Sequence, residues 1–127
     1  HESQLMGGRF WLSARKQQDA DNQQGEERIA AAVIAAQLET GTELAEDNDV
    51  LGGVPLEQTW FSRSEKGVYW LDASVRGEGL NLMDFVSRHY GLAFGTEMGM
   101  YGSFEQRVRQ GMVTVQTAVS VFEERYR

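Results

Sequence analysis

His89 is the only histidine apart from the first residue, and with Asp72, Asp84, Tyr90 and Glu97 nearby in the chain it is the natural place to look for an acid/base pair. It closes the segment GLNLMDFVSRHYG. A helix C-terminus strengthens a histidine's hold on its proton, so His89 is also a candidate pH-sensitive group. The commoner role at such a place is to finish an apolar stripe or cap the last turn. No serine stands in a recognisable nucleophile setting, and the chain has no cysteine, which removes thiol nucleophiles, thiolate metal sites and disulfides together. His89 and Asp72 are therefore candidate polar or ligand-binding groups, and no residue is assigned a catalytic role.

Two further patterns invite chemistry and fail on spacing. Glycines at 91, 95, 99 and 102 in GLAFGTEMGMYG would let backbone N–H groups approach an anion. A dinucleotide fingerprint needs GxGxxG between a strand and a helix, and a P-loop needs Lys followed by Ser or Thr; neither is present. The acidic run Glu43, Glu46, Asp47 and Asp49 resembles a calcium loop, but counting from Asp47 places Leu51 at position five and Gln58 where the bidentate glutamate belongs. No metal and no cofactor are expected. The strongest functional clue is aromatic: Trp11, Trp60, Trp70 and Phe61 all fall on predicted strands, and tryptophan is enriched at interface hot spots. Either these side chains line an open sheet face that binds a partner, or the faces are reversed or covered and they are core. Phe94, Met98, Met100 and Tyr101, in the glycine-rich segment, join Trp11, Trp60 and Trp70 as the expected partner-binding set, because methionine adapts to a partner's shape.

The elements that must hold these residues follow from periodicity. Arg9 to Arg15 alternates Phe10, Leu12 and Ala14 against Trp11 and Ser13, a strand with one apolar face. KQQDADNQQG reads as a loop, with Asp21 or Asn22 capping a helix whose first turn carries Glu26 and Glu27. That helix puts Ile29, Val33, Ala36 and Leu38 near one face and stops at Gly41. The acidic, turn-rich TELAEDNDVLGGVP follows. TWFSRS and VYWLDASV form a hairpin around Glu65, Lys66 and Gly67, with Tyr69, Leu71, Ala73 and Val75 expected in the core and Val68, Trp70, Asp72 and Ser74 on the other face. A second helix, capped by Asn81 and striped by Leu82, Phe85, Val86 and His89, stops at Gly91. The glycine-rich segment then reads as a loop or short irregular edge strand. VTVQTAVSVF alternates over ten residues and predicts a long central strand rich in β-branched side chains, with a terminal helix from about Ala118 as the alternative.

The order βαββαβ predicts an α+β domain, ferredoxin-like or a close variant, with an antiparallel sheet and two helices on one face. At 127 residues this is a single domain, with residues 1–8 as a flexible N-terminal extension. Twelve basic against nineteen acidic residues, a net charge of −7, argue against nucleic acid as a partner, since phosphate binding needs clustered cations. No run of eighteen apolar residues predicts a membrane span, and the N-terminus has no signal-peptide pattern. The first residue, His1, points to an excised or processed chain that an upstream segment could anchor. Cytoplasm and periplasm both remain open.

Val68 to Tyr101 resembles the beginning of the FtsZ-binding domain of the ZipA division-protein family in the succession of strand, glycine turn, helix, GLAFG and MGMY. That likeness is of one strand-and-helix unit and implies no site. The expected function is non-catalytic protein association, or self-association, within a larger assembly such as a bacterial envelope, secretion or pilus apparatus. The alternatives are a small-ligand binder or cofactor-free enzyme near His89, and an acidic inhibitor or nucleic-acid mimic.

Overall fold

The computed structural model describes residues 2–3, 8–72, 85–87, 89 and 91–126. Strand β2 (Phe10–Arg15) buries Phe10, Leu12 and Ala14 completely, as the alternation requires. Helix α1 (Ala20–Glu39) begins earlier than composition suggests. Its cap is Asp19, whose carboxylate accepts the Asn22 N–H at 2.8 Å, so Asp21, Asn22, Gln23 and Gln24, read as loop, are helical and Glu26 lies in the helix interior. Satisfying an orphan N–H at the first turn outweighs the modest helix propensity of those residues.

After α1 the chain runs beside β2, where Phe10 donates to Glu43 C=O and Ala45 donates to Phe10 C=O, both at 2.9 Å. It turns through α2 (Asp47–Leu51) and a 3₁₀ turn at Leu56–Gln58 into β3 (Phe61–Arg63). A hairpin with Gly67 at φ +89° returns it as β4 (Val68–Leu71). Residues 85–87 and 89 are helical, and β5 (Phe94–Gly99) and α3 (Phe104–Tyr126) complete the chain. Glu2–Ser3 (β1) lies in the stretch read as an N-terminal extension and pairs with Met98–Gly99 at the sheet edge. The expected residues Ala73, Ser74, Val75, Asn81, Leu82, Asp84 and Tyr90 lie outside the described residues.

The fold is α+β, and the strands lie in the order β1-β5-β2-β4-β3. The sheet is mixed rather than wholly antiparallel: β2 pairs with β5 antiparallel and with β4 parallel. The extra pass at residues 43–45 explains this, because it reverses the chain once more before β3, and the hairpin then delivers β4 in the direction of β2.

Three expectations are corrected. VTVQTAVSVF is not a central strand; it is the middle of α3. The small helix penalty of β-branched residues, a few tenths of a kcal/mol each, is overridden by packing against α1. There Gln37 Nε2 donates to Gln110 C=O at 2.7 Å and to Thr114 Oγ1 at 3.1 Å. The glycine-rich segment is a regular strand in the vacated position beside β2. On β4 the inward face is Val68 and Trp70, not Tyr69 and Leu71. The parallel register sets Val68 beside Leu12 and Trp70 beside Ala14, and side chains at paired positions share a face. Together with Ile29, Ala30, Val33 and Ile34 of α1 they form the core.

Gly99 shows how tightly the β5 end is closed. A Cβ there would collide with the backbone of Gly8 and Arg9, while the Gly99 N–H donates to Arg9 C=O at 2.9 Å. Gly99→Ala should therefore cost about 2–3 kcal/mol, the scale of overpacking against atoms that cannot rotate away. Urea denaturation checks it, and a loss below about 0.5 kcal/mol would mean that the Gly8 segment simply moves aside.

Candidate interaction surface

The expected tryptophan face divides into three environments. Trp70 is core, 6% exposed. Trp11, half-buried on the opposite face, meets Tyr69 edge-on at 5.7 Å between ring centroids. Tyr69 is buried although it points away from α1, because its hydroxyl donates to Asp47 Oδ1 at 2.6 Å and Phe61 packs at 6.5 Å. Burial, reinforced by the Asp47 carboxylate, pushes the Tyr69 phenol up. Only Trp60 projects, 71% exposed, beside a hollow of about 130 Å³ that Lys16, Trp70 and Asp72 also line. The Asp72 N–H donates to Trp60 C=O at 2.9 Å, so the structure does bring Trp60, Trp70 and Asp72 together.

Phe94 and Met98 pack against the core from β5, whereas Met100 and Tyr101 are exposed in the turn before α3. His89 is exposed and stacks at a tilt on Phe85, 4.7 Å between ring centroids.

The acidic run has a structural role. The Arg9 guanidinium pairs with Asp49 at 2.6 Å, with Glu43 at 3.5 Å and with Glu46 at 3.9 Å, and Asp47 pairs with Arg63 at 3.2 Å. The Glu46 N–H and the Arg9 guanidinium hold Asp49 below the usual carboxylate range. These contacts strap the α2 connection to the sheet. Among the described residues no group of three or more His, Cys, Asp or Glu side chains is placed to hold a metal ion. Nor, among them, is any helix long and apolar enough to cross a membrane.

A broad open groove runs between Ala31 and Ala35 of α1 and the turn of the β3–β4 hairpin. Glu27 and Glu65 line it with Arg28, Arg63, Lys66 and Arg125, of which Arg28 pairs with Glu124, Arg63 with Asp47, and Arg125 donates to Asp21 C=O.

Two features escape a reading by residue type. Glu26 is fully buried; its Oε1 accepts the Ala93 N–H at 3.0 Å and its Oε2 accepts Gln17 Nε2 at 2.7 Å. Burial pushes its carboxyl up to about 7, against the opposing effect of those two hydrogen bonds. It clamps α1 to the segment entering β5. The only sequence signal was its position, three residues before Ile29 on the helix's inward face.

The second feature is a line of apolar residues on α3: Phe104, Val108, Met112, Val115, Val119 and Phe122, between 47% and 69% exposed. Gln110 and Thr114 are buried, and Ala118 and Val121 half-buried, on the side toward α1 and the core. From Val108 onward the exposed residues recur at alternating intervals of four and three, the heptad spacing of a helix seam that meets another helix. The signal was present in the sequence, but the valines shared with the two-residue alternation concealed it.

No protein-family model matches this chain, and no curated protein or solved structure is significantly similar to it.

Proposed function

We propose that this chain is a non-catalytic protein-interaction domain, part of a larger assembly, and that it associates through the apolar stripe of α3. The observation that carries the reading is the heptad row from Val108 to Phe122, left in solvent by a helix whose other side is already packed. Single exposed apolar residues are ordinary, whereas a contiguous row along about four helical turns marks an interaction site. Tyr101 and Met100 lie just ahead of the stripe, and Trp60 offers a separate anchor at the far edge of the sheet. The order of elements supports a close variant of the ferredoxin-like split fold with a parallel central pair. Placement in an envelope, secretion or pilus apparatus rests on analogy with other small domains of such assemblies. An inhibitor or nucleic-acid mimic needs unengaged carboxylates, and here the main acidic run is occupied with Arg9 and Arg63.

The test is the double variant Val115→Lys/Val119→Lys. Both positions are exposed, so stability should change by less than about 0.5 kcal/mol at each. Association of the wild-type chain, with itself or with a protein retained from a native lysate, should be lost. Association that survives the double substitution would overturn the α3 reading.

A further inference from the structure

We infer that the partner of α3 is α3 of a second copy of this chain, packed antiparallel about a two-fold axis beside Gln116. This rests on the stripe being an association surface and adds what covers it.

In the heptad frame Val108, Val115 and Phe122 occupy d, and Met112 and Val119 occupy a. The flanking e positions are Arg109, Gln116 and Glu123, all exposed. The g positions are Phe104, Gly111, Ala118 and Arg125. A parallel pair brings g of one helix against the following e of the other. It would match Phe104 with Arg109, Gly111 with Gln116 and Ala118 with Glu123, which contains no pair of opposite charges.

An antiparallel pair brings e against e. Arg109 of each copy then lies across from Glu123 of the other, and Gln116 meets its own counterpart at the axis. In the same register Val115 faces Val119 and Met112 faces Phe122, so the four central layers are apolar, and Val108 flanks them at both ends. An isologous contact must be self-complementary, and this row satisfies that twice over with a single opposite-charge pair. Glu105, one heptad before Met112, ends the seam on its N-terminal side.

The seam residues Val108, Met112, Val115, Val119 and Phe122 are each about half exposed, and pairing over a row of this length falls at the small end of the interface range, which suits a reversible dimer.

The test is sedimentation equilibrium of the purified chain across a wide range of concentration, with Arg109→Glu, Glu123→Arg and the double swap, each checked for folding by circular dichroism. The wild type should be a reversible dimer. Either single reversal should weaken it about tenfold by opposing like charges at both ends of the seam, and the double swap should restore it. Dimers lost with Val115→Lys but indifferent to the charge swaps would overturn the antiparallel register. A wild type that stays monomeric while retaining another protein through the stripe would overturn self-pairing and leave the interaction reading standing. A monomer that retains nothing would end both.

Discussion

Trp70→Ala should remove about 3–5 kcal/mol of stability, enough to unfold a marginal domain at physiological temperature. Trp70 is 6% exposed and belongs to the cluster that includes Phe10, Leu12, Ile29 and Val33. Its strand is hydrogen-bonded on both sides, parallel to β2 and antiparallel to β3, so the backbone has little freedom to collapse into the space left by the indole. Transfer and cavity costs therefore both apply. The informative comparison is Trp60→Ala, ten residues earlier and 71% exposed, which should change stability by less than about 0.5 kcal/mol. Urea denaturation followed by far-ultraviolet circular dichroism separates the two. Equal effects, or a loss below about 1 kcal/mol at Trp70, would show that the indole is not the keystone of this cluster.

Glu26 should make the domain lose stability as the solution becomes less acidic. Its carboxyl is raised from 4.5 to about 7, so between those values the folded chain keeps a proton that the unfolded chain releases. Stability from this group is thus greatest below about 4.5, falls as pH rises through the window, and levels off above about 7. The span is about 3 kcal/mol, from 1.36 kcal/mol per pH unit. Asp49, whose carboxyl is lowered by the Glu46 N–H and Arg9, slopes the other way: its stabilisation is present above the usual carboxylate range and is lost as the solution is acidified through it. Glu26→Gln should flatten the decline, although its single acceptor oxygen serves only one of the two N–H donors, Ala93 and Gln17, that the carboxylate accepts. Glu26→Ala should lose about 2–4 kcal/mol, because it leaves the Ala93 N–H and the Gln17 amide without their acceptor and opens a cavity. Guanidinium denaturation at a series of pH values reads both. A profile for Glu26→Gln that parallels the wild type would show that another group carries the slope.

Local order was legible where one pattern dominated. Phe10, Leu12 and Ala14 alternate without competition, and they are the most deeply buried residues of the first long strand. The alanine-rich run after Arg28 is helical for the same reason, and Glu65-Lys66-Gly67 could hardly be other than a turn. Reading failed where two periods fitted the same residues. Val113, Val115, Val119 and Val121 serve a two-residue alternation, while Val108, Met112, Val115, Val119 and Phe122 serve a heptad, and nothing within the segment chooses between them. The glycines of GLAFGTEMGMYG argued against a regular strand on entropy alone, a cost of about 0.5–1 kcal/mol each that pairing with β2 outweighs.

The amino-acid sequence by itself determined the α+β class, the hairpin, the apolar face of β2 and the absence of thiol chemistry, because each depends on residue type or on spacing within one element. Tertiary structure decided the rest. Whether Trp70 is anchor or core depended on the register of β4 beside β2, which sets Trp70 opposite the buried Ala14. Whether Glu26 keeps its ordinary acidity depended on which side of α1 meets the sheet. The identity of α3 depended on whether Gln110 and Thr114 had a partner such as Gln37. These are contacts between residues far apart in the chain, and their energies of a few kcal/mol exceed the tenths that local propensity supplies.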